Sequence, residues 1–277
     1  MIKSELEFLL KKYNLAPNKI RGQNFLISDE VLENTIKAAE LKKNDLVLEV
    51  GPGLGALTQE LVKSVEQVVA FELDRNFSRP LNKLMGVSSN LEIIWHDILS
   101  LTEEAWKEVL DRHKKKDYKI VANIPYYLTN KFIQKFILAK NQPQSMTLMI
   151  QKEVAERIVV KNGKYSLLSL SVAFYAQSRI EFLVSRDNFF PAPKVDSAII
   201  HIYKLRPWSY KAVEKKTWQL IKRGFASKRK KLINNLLTDQ ALDKKMVADV
   251  FLKFNLDENI RAEKLLPQDW LNLSENL

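Results

Sequence analysis

The feature that most constrains this chain is an alternation. Short runs rich in apolar and β-branched residues, DLVLEV (45–50), QVVAFEL (67–73), LEIIWHD (91–97), YKIVANI (118–124) and SMTLMIQ (145–151), are separated by stretches with helical spacing. Strands joined through helices need crossover connections, and the product is a mostly parallel sheet covered by helices. Two later runs, LLSLSVAFYAQ (167–177) and SAIIHIYKL (197–205), are expected to complete the sheet as late, antiparallel-type strands. Beyond residue 205 the β-runs stop, and Trp218, Ile221 and Phe225 recur at spacings of three and four. The expected organisation is an α/β domain over residues 1–204 and a small all-α domain over 205–277.

Charge narrows the partners. With 44 Lys and Arg against 33 Asp and Glu, the 277-residue chain carries a formal charge of +11 and is expected to attract a polyanion, nucleic acid or an anionic surface. The excess is local: residues 204–231 hold eleven bases and one acid, whereas 232–277 hold five bases and eight acids. No window approaches 18 uncharged apolar residues, and the first twenty residues lack a cleavable apolar core, so a cytoplasmic protein without membrane attachment is expected. The absence of cysteine excludes disulfides, thiolate metal sites and a cysteine nucleophile. The three scattered histidines, His96, His113 and His201, give no metal-ligand pattern, and no metal is expected. Chemistry must come from amides, carboxylates, aromatic rings and a bound cofactor.

Successive strand ends supply such groups. LEVGPGLGALT (48–58) is a strand that breaks into a glycine turn and opens a helix, with Gly51, Gly53 and Gly55 free to adopt conformations that bring backbone close to a ligand. The spacing is G-x-G-x-G, which differs from the G-x-G-x-x-G of a dinucleotide turn. Glu72 ends the second strand, where doubly wound folds bond the hydroxyls of a ribose. Asp97 ends the third and is placed to accept from an exocyclic amino group; His96 beside it alternates to the other side and is expected to be structural. VANIPYYLTN (121–130) ends the fourth, where Pro125 fixes a turn that aims Asn123 and Tyr126 at the same crevice. Together they describe a site for an adenosine-containing cofactor that needs no diphosphate.

The ordered motifs GQNFL (22–26), EVGPGLGALT, FELD, HDIL, NIPYYLT, LMIQKEVAERIV (148–159), FFPAPKVDSAI (189–199) and FASKRKKLINNL (225–236) resemble the small-subunit (16S) ribosomal RNA adenine-N6,N6-dimethyltransferases over nearly the whole chain. The resemblance implies a Rossmann-like methyltransferase sheet, mostly parallel with one antiparallel late strand. It also implies S-adenosyl-L-methionine as methyl donor and, as substrate, two adjacent adenines in the 3′-terminal hairpin loop of 16S rRNA in the 30S subunit. Carried over by motif, the cofactor contacts fall on Asn24, Leu26, Gly51, Glu72, Asp97 and Asn123. Within the resemblance, Ala226 and Ser227 replace a more usual Ser and Gln.

An adenine N6 is a poor nucleophile, so the catalyst must act on the amine and on geometry. Asn123 and the carbonyl of Ile124 or Pro125 are expected to accept the amino hydrogens, with Tyr126 and Phe189 stacking the extruded base. RNA binding is expected from Arg223, Lys228, Arg229, Lys230 and Lys231. Ser227 reads as a helix N-cap with the last four of these in the first turn and Leu232, Ile233, Leu236 and Leu237 on the buried face. A monomer is expected. Two alternatives share these features: the large-subunit (23S) dimethyltransferase, and an assembly factor acting mainly by binding RNA.

Overall fold

The β-branched runs become strands. The computed structural model describes residues 2–18, 22–209, 211–239 and 241–277. Its strands are β1 (Phe25–Leu26), β2 (Leu46–Val50), β3 (Gln67–Phe71), β4 (Leu91–Ile94), β5 (Lys119–Asn123), β6 (Ser145–Gln151), β7 (Gln177–Val184), β8 (Phe189–Phe190) and β9 (Ser197–Tyr203). Seven of them form one sheet in the order β4-β3-β2-β5-β6-β9-β7. The pairs from β4 across to β6 are parallel, and β9 runs antiparallel to both β6 and β7. The sheet is therefore mostly parallel with one reversed late strand, as the sequence predicts. β1 and β8 pair separately, Phe25 opposite Phe190 and Leu26 opposite Phe189.

Strand order reverses at β2, with β3 and β4 on one side and β5 and β6 on the other. Loops leaving β2 and β5 diverge there and open a crevice beyond the carboxyl ends of the strands. β2 is buried along all five residues, because helices cover both faces of a parallel sheet.

The chain divides into two compact units: Met1–Ala155 with Gln177–Leu205, and Glu156–Ala176 with Arg206–Leu277. The first holds the sheet and the helices α1 (Lys3–Lys12), α2 (Asp29–Ala38), α3 (Ala56–Ser64), α4 (Ser78–Met85), α5 (Glu103–Arg112) and α6 (Thr129–Ile137), while the division falls within α7 (Lys152–Ile158), after Ala155. The second is helical: α8 (Leu167–Tyr175), α9 (Glu214–Gly224), α10 (Leu232–Leu236), α11 (Lys244–Lys253) and α12 (Pro267–Asn276). The helical unit takes in residues 156–176 as well as 206–277.

The reason is local. LLSLSVAFY, expected as a strand, is α8: the Ser166 hydroxyl accepts from Ser169 N–H at 3.2 Å and Ser169 Oγ accepts from Ser166 N–H at 2.7 Å, a reciprocal cap that starts a helix. Seven of its nine residues are buried, so no apolar stripe was left in the sequence to give the period away. The strand begins two residues later, at Gln177.

Around α9 the helical unit packs rings on rings, with Phe174 and Trp208 centroids 4.3 Å apart. Gly224, the last residue of α9, lies against Trp270, where an added Cβ would sit 2.4 Å from the indole. The segment after α9 also departs from expectation. Ser227 does not cap a helix; Lys230 N–H closes a turn on its carbonyl at 3.0 Å, and α10 starts only at Leu232 with Lys231 as N-cap. Four consecutive cations are disfavoured in the first turn of a helix, and the chain leaves them in the loop. The expected buried face is retained at Leu232, Ile233 and Leu236. Among the described residues no helix is long and apolar enough to cross a membrane.

Candidate active site

The glycine turn after β2 forms one wall. Gly51, Gly53 and Gly55 all have positive φ, at 68°, 57° and 82°. A Cβ on Gly51 would meet nothing within 4 Å and would stand in the crevice, while one on Gly53 would press on the Phe25 ring at 3.3 Å. Glu72, just past β3, is buried and holds this turn: its Oε2 accepts from Gly53 N–H at 3.1 Å and its Oε1 from Asp74 N–H at 2.7 Å. Asp97 follows β4, with Oδ1 accepting from Leu99 N–H at 2.8 Å. From the other side come residues 22–26, where Asn24 Nδ2 donates to the Gly22 carbonyl at 3.2 Å and Gln23 donates to Asp74 at 3.1 Å.

β5 delivers Asn123 to its carboxyl end. The Asn123 side chain is half-buried and makes no hydrogen bond to a described residue, so its amide is left available to a ligand or to solvent. Pro125 starts a 3-10 turn over Tyr126–Leu128, and the half-buried Tyr126 phenol meets Ser197 Oγ at 2.8 Å. Phe189 reaches the same place from β8, but only 4% exposed, as part of the apolar core. All of the residues expected to bind cofactor or act in catalysis, Asn24, Leu26, Gly51, Glu72, Asp97, Asn123, Pro125, Tyr126 and Phe189, line one cavity.

Two lining residues escaped the sequence reading. His96, expected to be structural, is exposed at the cavity, with Nε2 3.4 Å from Ser100 Oγ. Glu49 is 1% exposed within β2, and its Oε2 has no hydrogen-bond partner among the described residues. Its signal was a lone acid inside LVLEV. Burial pushes its carboxyl up to about 8, partly opposed by the nearby Thr58 hydroxyl and reinforced by the charge of Glu72. Burial also raises Glu72, but the backbone N–H groups of Asp74 and Gly53 oppose the shift.

The profile of the family described as ribosomal RNA adenine dimethylase matches residues 15–277. The chain belongs to that family. As such a dimethylase it is an enzyme that uses S-adenosylmethionine. A protein of Dehalococcoides mccartyi named ribosomal RNA small subunit methyltransferase A is 40% identical over 96% of this chain and 90% of its own, and one of Ureaplasma urealyticum with the same name is 36% identical over 99% and 96%. Among solved structures, the 23S rRNA methyltransferase ErmE superposes with a TM-score of 0.74 at 25% identity, covering 92% of this chain and 99% of that one. A dimethyladenosine transferase from Plasmodium falciparum gives 0.72 at 25%, covering 90% and 95%.

The dimethylase's cavity suits its cofactor. The open space at Gly51 admits a ligand against the backbone, and carboxylates with acceptor capacity left over stand at the ends of β3 and β4. In the helical unit Arg223 is ion-paired with Asp239, whereas Lys228, Arg229, Lys230 and Lys231 are exposed and make no ion pair with a described residue. The buried Asn235 amide fastens the start of their loop, donating to the Gly224 and Ser227 carbonyls at 2.6 and 3.1 Å.

Glu49 makes the dimethylase's stability depend on pH. Its folded pKa lies above the ordinary 4.5, so stability that is fully present below about 4.5 is lost as pH rises toward about 8, where the unfolded chain has released a proton that the folded chain retains. Glu49→Gln removes that loss. In cofactor-free thermal denaturation, the stability of the variant relative to wild type is expected to rise by about 1 kcal/mol or more between pH 5 and pH 8.5; a difference independent of pH would show that Glu49 is ionised in the folded protein throughout.

Proposed function

We propose that this dimethylase transfers methyl groups from S-adenosylmethionine to N6 of two adjacent adenines in the 3′-terminal hairpin loop of 16S rRNA within the 30S subunit, as a step of small-subunit biogenesis in the cytoplasm. The small-subunit assignment is supported by relatives of that name at 36–40% identity over nearly the whole chain. The observation that carries the chemistry is the unpaired, half-buried Asn123 amide in one cavity with Glu72 and Asp97.

In this reading Glu72 bonds the ribose hydroxyls through its remaining lone pairs, Asp97 accepts from the cofactor's adenine amino group through Oδ2, and Asn24, Leu26 and Gly51 complete the pocket. The bound cofactor supplies a methyl group already activated for in-line displacement. Asn123 Oδ1 accepts one N6 hydrogen of the target adenine and draws the nitrogen toward a tetrahedral shape. The Pro125 carbonyl is engaged by Leu128 N–H at 2.9 Å, which favours the Ile124 carbonyl as the second acceptor, with Pro125 holding the turn. Tyr126 replaces part of the stacking that the base loses on leaving its loop, worth about 1–3 kcal/mol per base, while Phe189, buried in the apolar core, backs the pocket rather than offering the second open face expected of it. The exposed bases Lys228, Arg229, Lys230 and Lys231, with Arg223 at the rim, bind RNA phosphates.

Incubation with S-adenosylmethionine and undermethylated 30S subunits, followed by mass spectrometry of rRNA fragments, tests this directly. Two dimethyladenosines in the 3′-terminal fragment are expected; modification of 23S RNA instead would establish the large-subunit alternative. Asn123→Ala is expected to lower turnover by about 10²-fold or more, the scale of losing one transition-state hydrogen-bond partner, with 30S affinity nearly unchanged. Full turnover would remove Asn123 from the chemistry.

Replacing Arg229 and Lys230 together with Ala is expected to leave thermal stability and cofactor affinity as they are and to weaken 30S binding. The slope of log affinity against log salt should become shallower by about 0.7–0.9 for each RNA phosphate that is no longer neutralised. An unchanged slope would place the RNA-binding bases elsewhere.

A further inference from the structure

Tyr126 sits on a turn of three residues, and such a short element does little to fix the direction of a ring. Its neighbour Tyr127 shows as much, at 61% exposure. The atom that holds Tyr126 is at the far end of its side chain: the phenol oxygen lies 2.8 Å from Ser197 Oγ. Ser197 is fully buried and opens β9, paired on one side with Gln151 of β6 and on the other with Val184 of β7. The residue before it is bound as well, since the Asp196 carbonyl accepts from Lys152 N–H at 3.0 Å and its Oδ1 from Arg186 N–H at 3.1 Å. The serine hydroxyl is thus mounted on a buried residue whose backbone is paired on both sides.

We infer that Ser197 is a positioning residue for methyl transfer: its hydroxyl fixes the direction of the Tyr126 ring, and through it the plane in which the target adenine presents N6 to Asn123. The inference rests on the reading of Tyr126 as the stacking face for the extruded base. A stacked base follows the ring beneath it, so a ring free to swing about its Cβ leaves the base bound but N6 off the line of attack. In-line displacement tolerates little of this, since a misplacement of about 1 Å costs about 10²-fold in rate. Burial raises the Tyr126 pKa against the lowering effect of the Ser197 bond, so the phenol stays neutral and the contact is an ordinary hydrogen bond throughout the working range of pH.

Steady-state methylation of undermethylated 30S subunits separates this role from a structural one. Ser197→Ala is expected to lower kcat by about tenfold or more while KM for the 30S subunit, cofactor affinity by calorimetry and the thermal midpoint stay near wild type. Tyr126→Phe, which keeps the ring and loses the bond, should give the same kcat, and the double variant should be no worse than either single one. Ser197→Thr, which keeps the hydroxyl, should recover turnover; if its added methyl disturbs folding, the Ala and Phe cycle decides alone. Wild-type kcat in Ser197→Ala, or losses that multiply in the double variant, would overturn the inference. Tyr126→Ala distinguishes the two levels: full turnover there removes the stacking role itself, whereas a loss there with unaffected Ser197→Ala and Tyr126→Phe removes only the positioning role.

Discussion

The Glu72 carboxylate is the interaction on which the cavity depends. One oxygen fixes Gly53 in the glycine turn after β2 and the other fixes Asp74 after β3, so a single side chain ties together the loops that leave two adjacent strands on one side of the crevice. A buried carboxylate is costly unless donors surround it. Here the donors are backbone N–H groups that would otherwise need partners of their own, and the same bonds that offset burial shape the turn. Gly51, two residues away, is left with open space in front of its Cα. Next to it Glu49 is buried in β2 with Oε2 lacking a partner among the described residues, and burial pushes it up to about 8 against only the nearby Thr58 hydroxyl, whereas the upward shift of Glu72 is opposed by the backbone N–H groups of Asp74 and Gly53.

β2, β3, β4 and β5 then each add a group to the cavity at the carboxyl end, and the proposed chemistry needs little more. No side chain at this site has to act as a covalent nucleophile. In the proposed reading the demand is for acceptors placed correctly around an amine, a rigid turn and an aromatic face, which NIPYY at the end of β5 would supply. The cations on unit 2 do different work. Held outside any helix, with Asn235 tying down the start of their loop, they are exposed, and in the proposed reading they meet phosphate.

What was legible in the sequence followed from physical signals that survive in one dimension. Short continuous β-branched apolar runs gave β2 to β6 within a few residues, and because side chains at the ends of parallel strands converge, Glu72, Asp97 and Asn123 could be placed in one crevice from the sequence alone. Signals that tertiary structure overrides were lost. LLSLSVAFY is apolar on nearly all sides, so its helical period was invisible and two serines decided the outcome. SKRKKLINNL was read as a helix from a serine that proved to be a turn residue, because the repulsion of four adjacent cations is weak per residue and shows only in where the helix begins. Ser197 was unreadable, since nothing in FFPAPKVDSAI says that a residue 71 positions from Tyr126 meets its hydroxyl.

The most direct measurement of the central claim is calorimetric titration of S-adenosylmethionine into wild type and Glu72→Gln. The glutamine keeps size and shape but turns one of the two oxygens into an NH₂ facing a backbone N–H, which leaves a buried donor unpaired at a cost of about 1–3 kcal/mol and withdraws acceptor sites from the ribose. The account predicts a folded variant with cofactor affinity at least about fivefold weaker, the lower end of that range. A folded variant with unchanged affinity would contradict it and place the ribose contact elsewhere in the cavity.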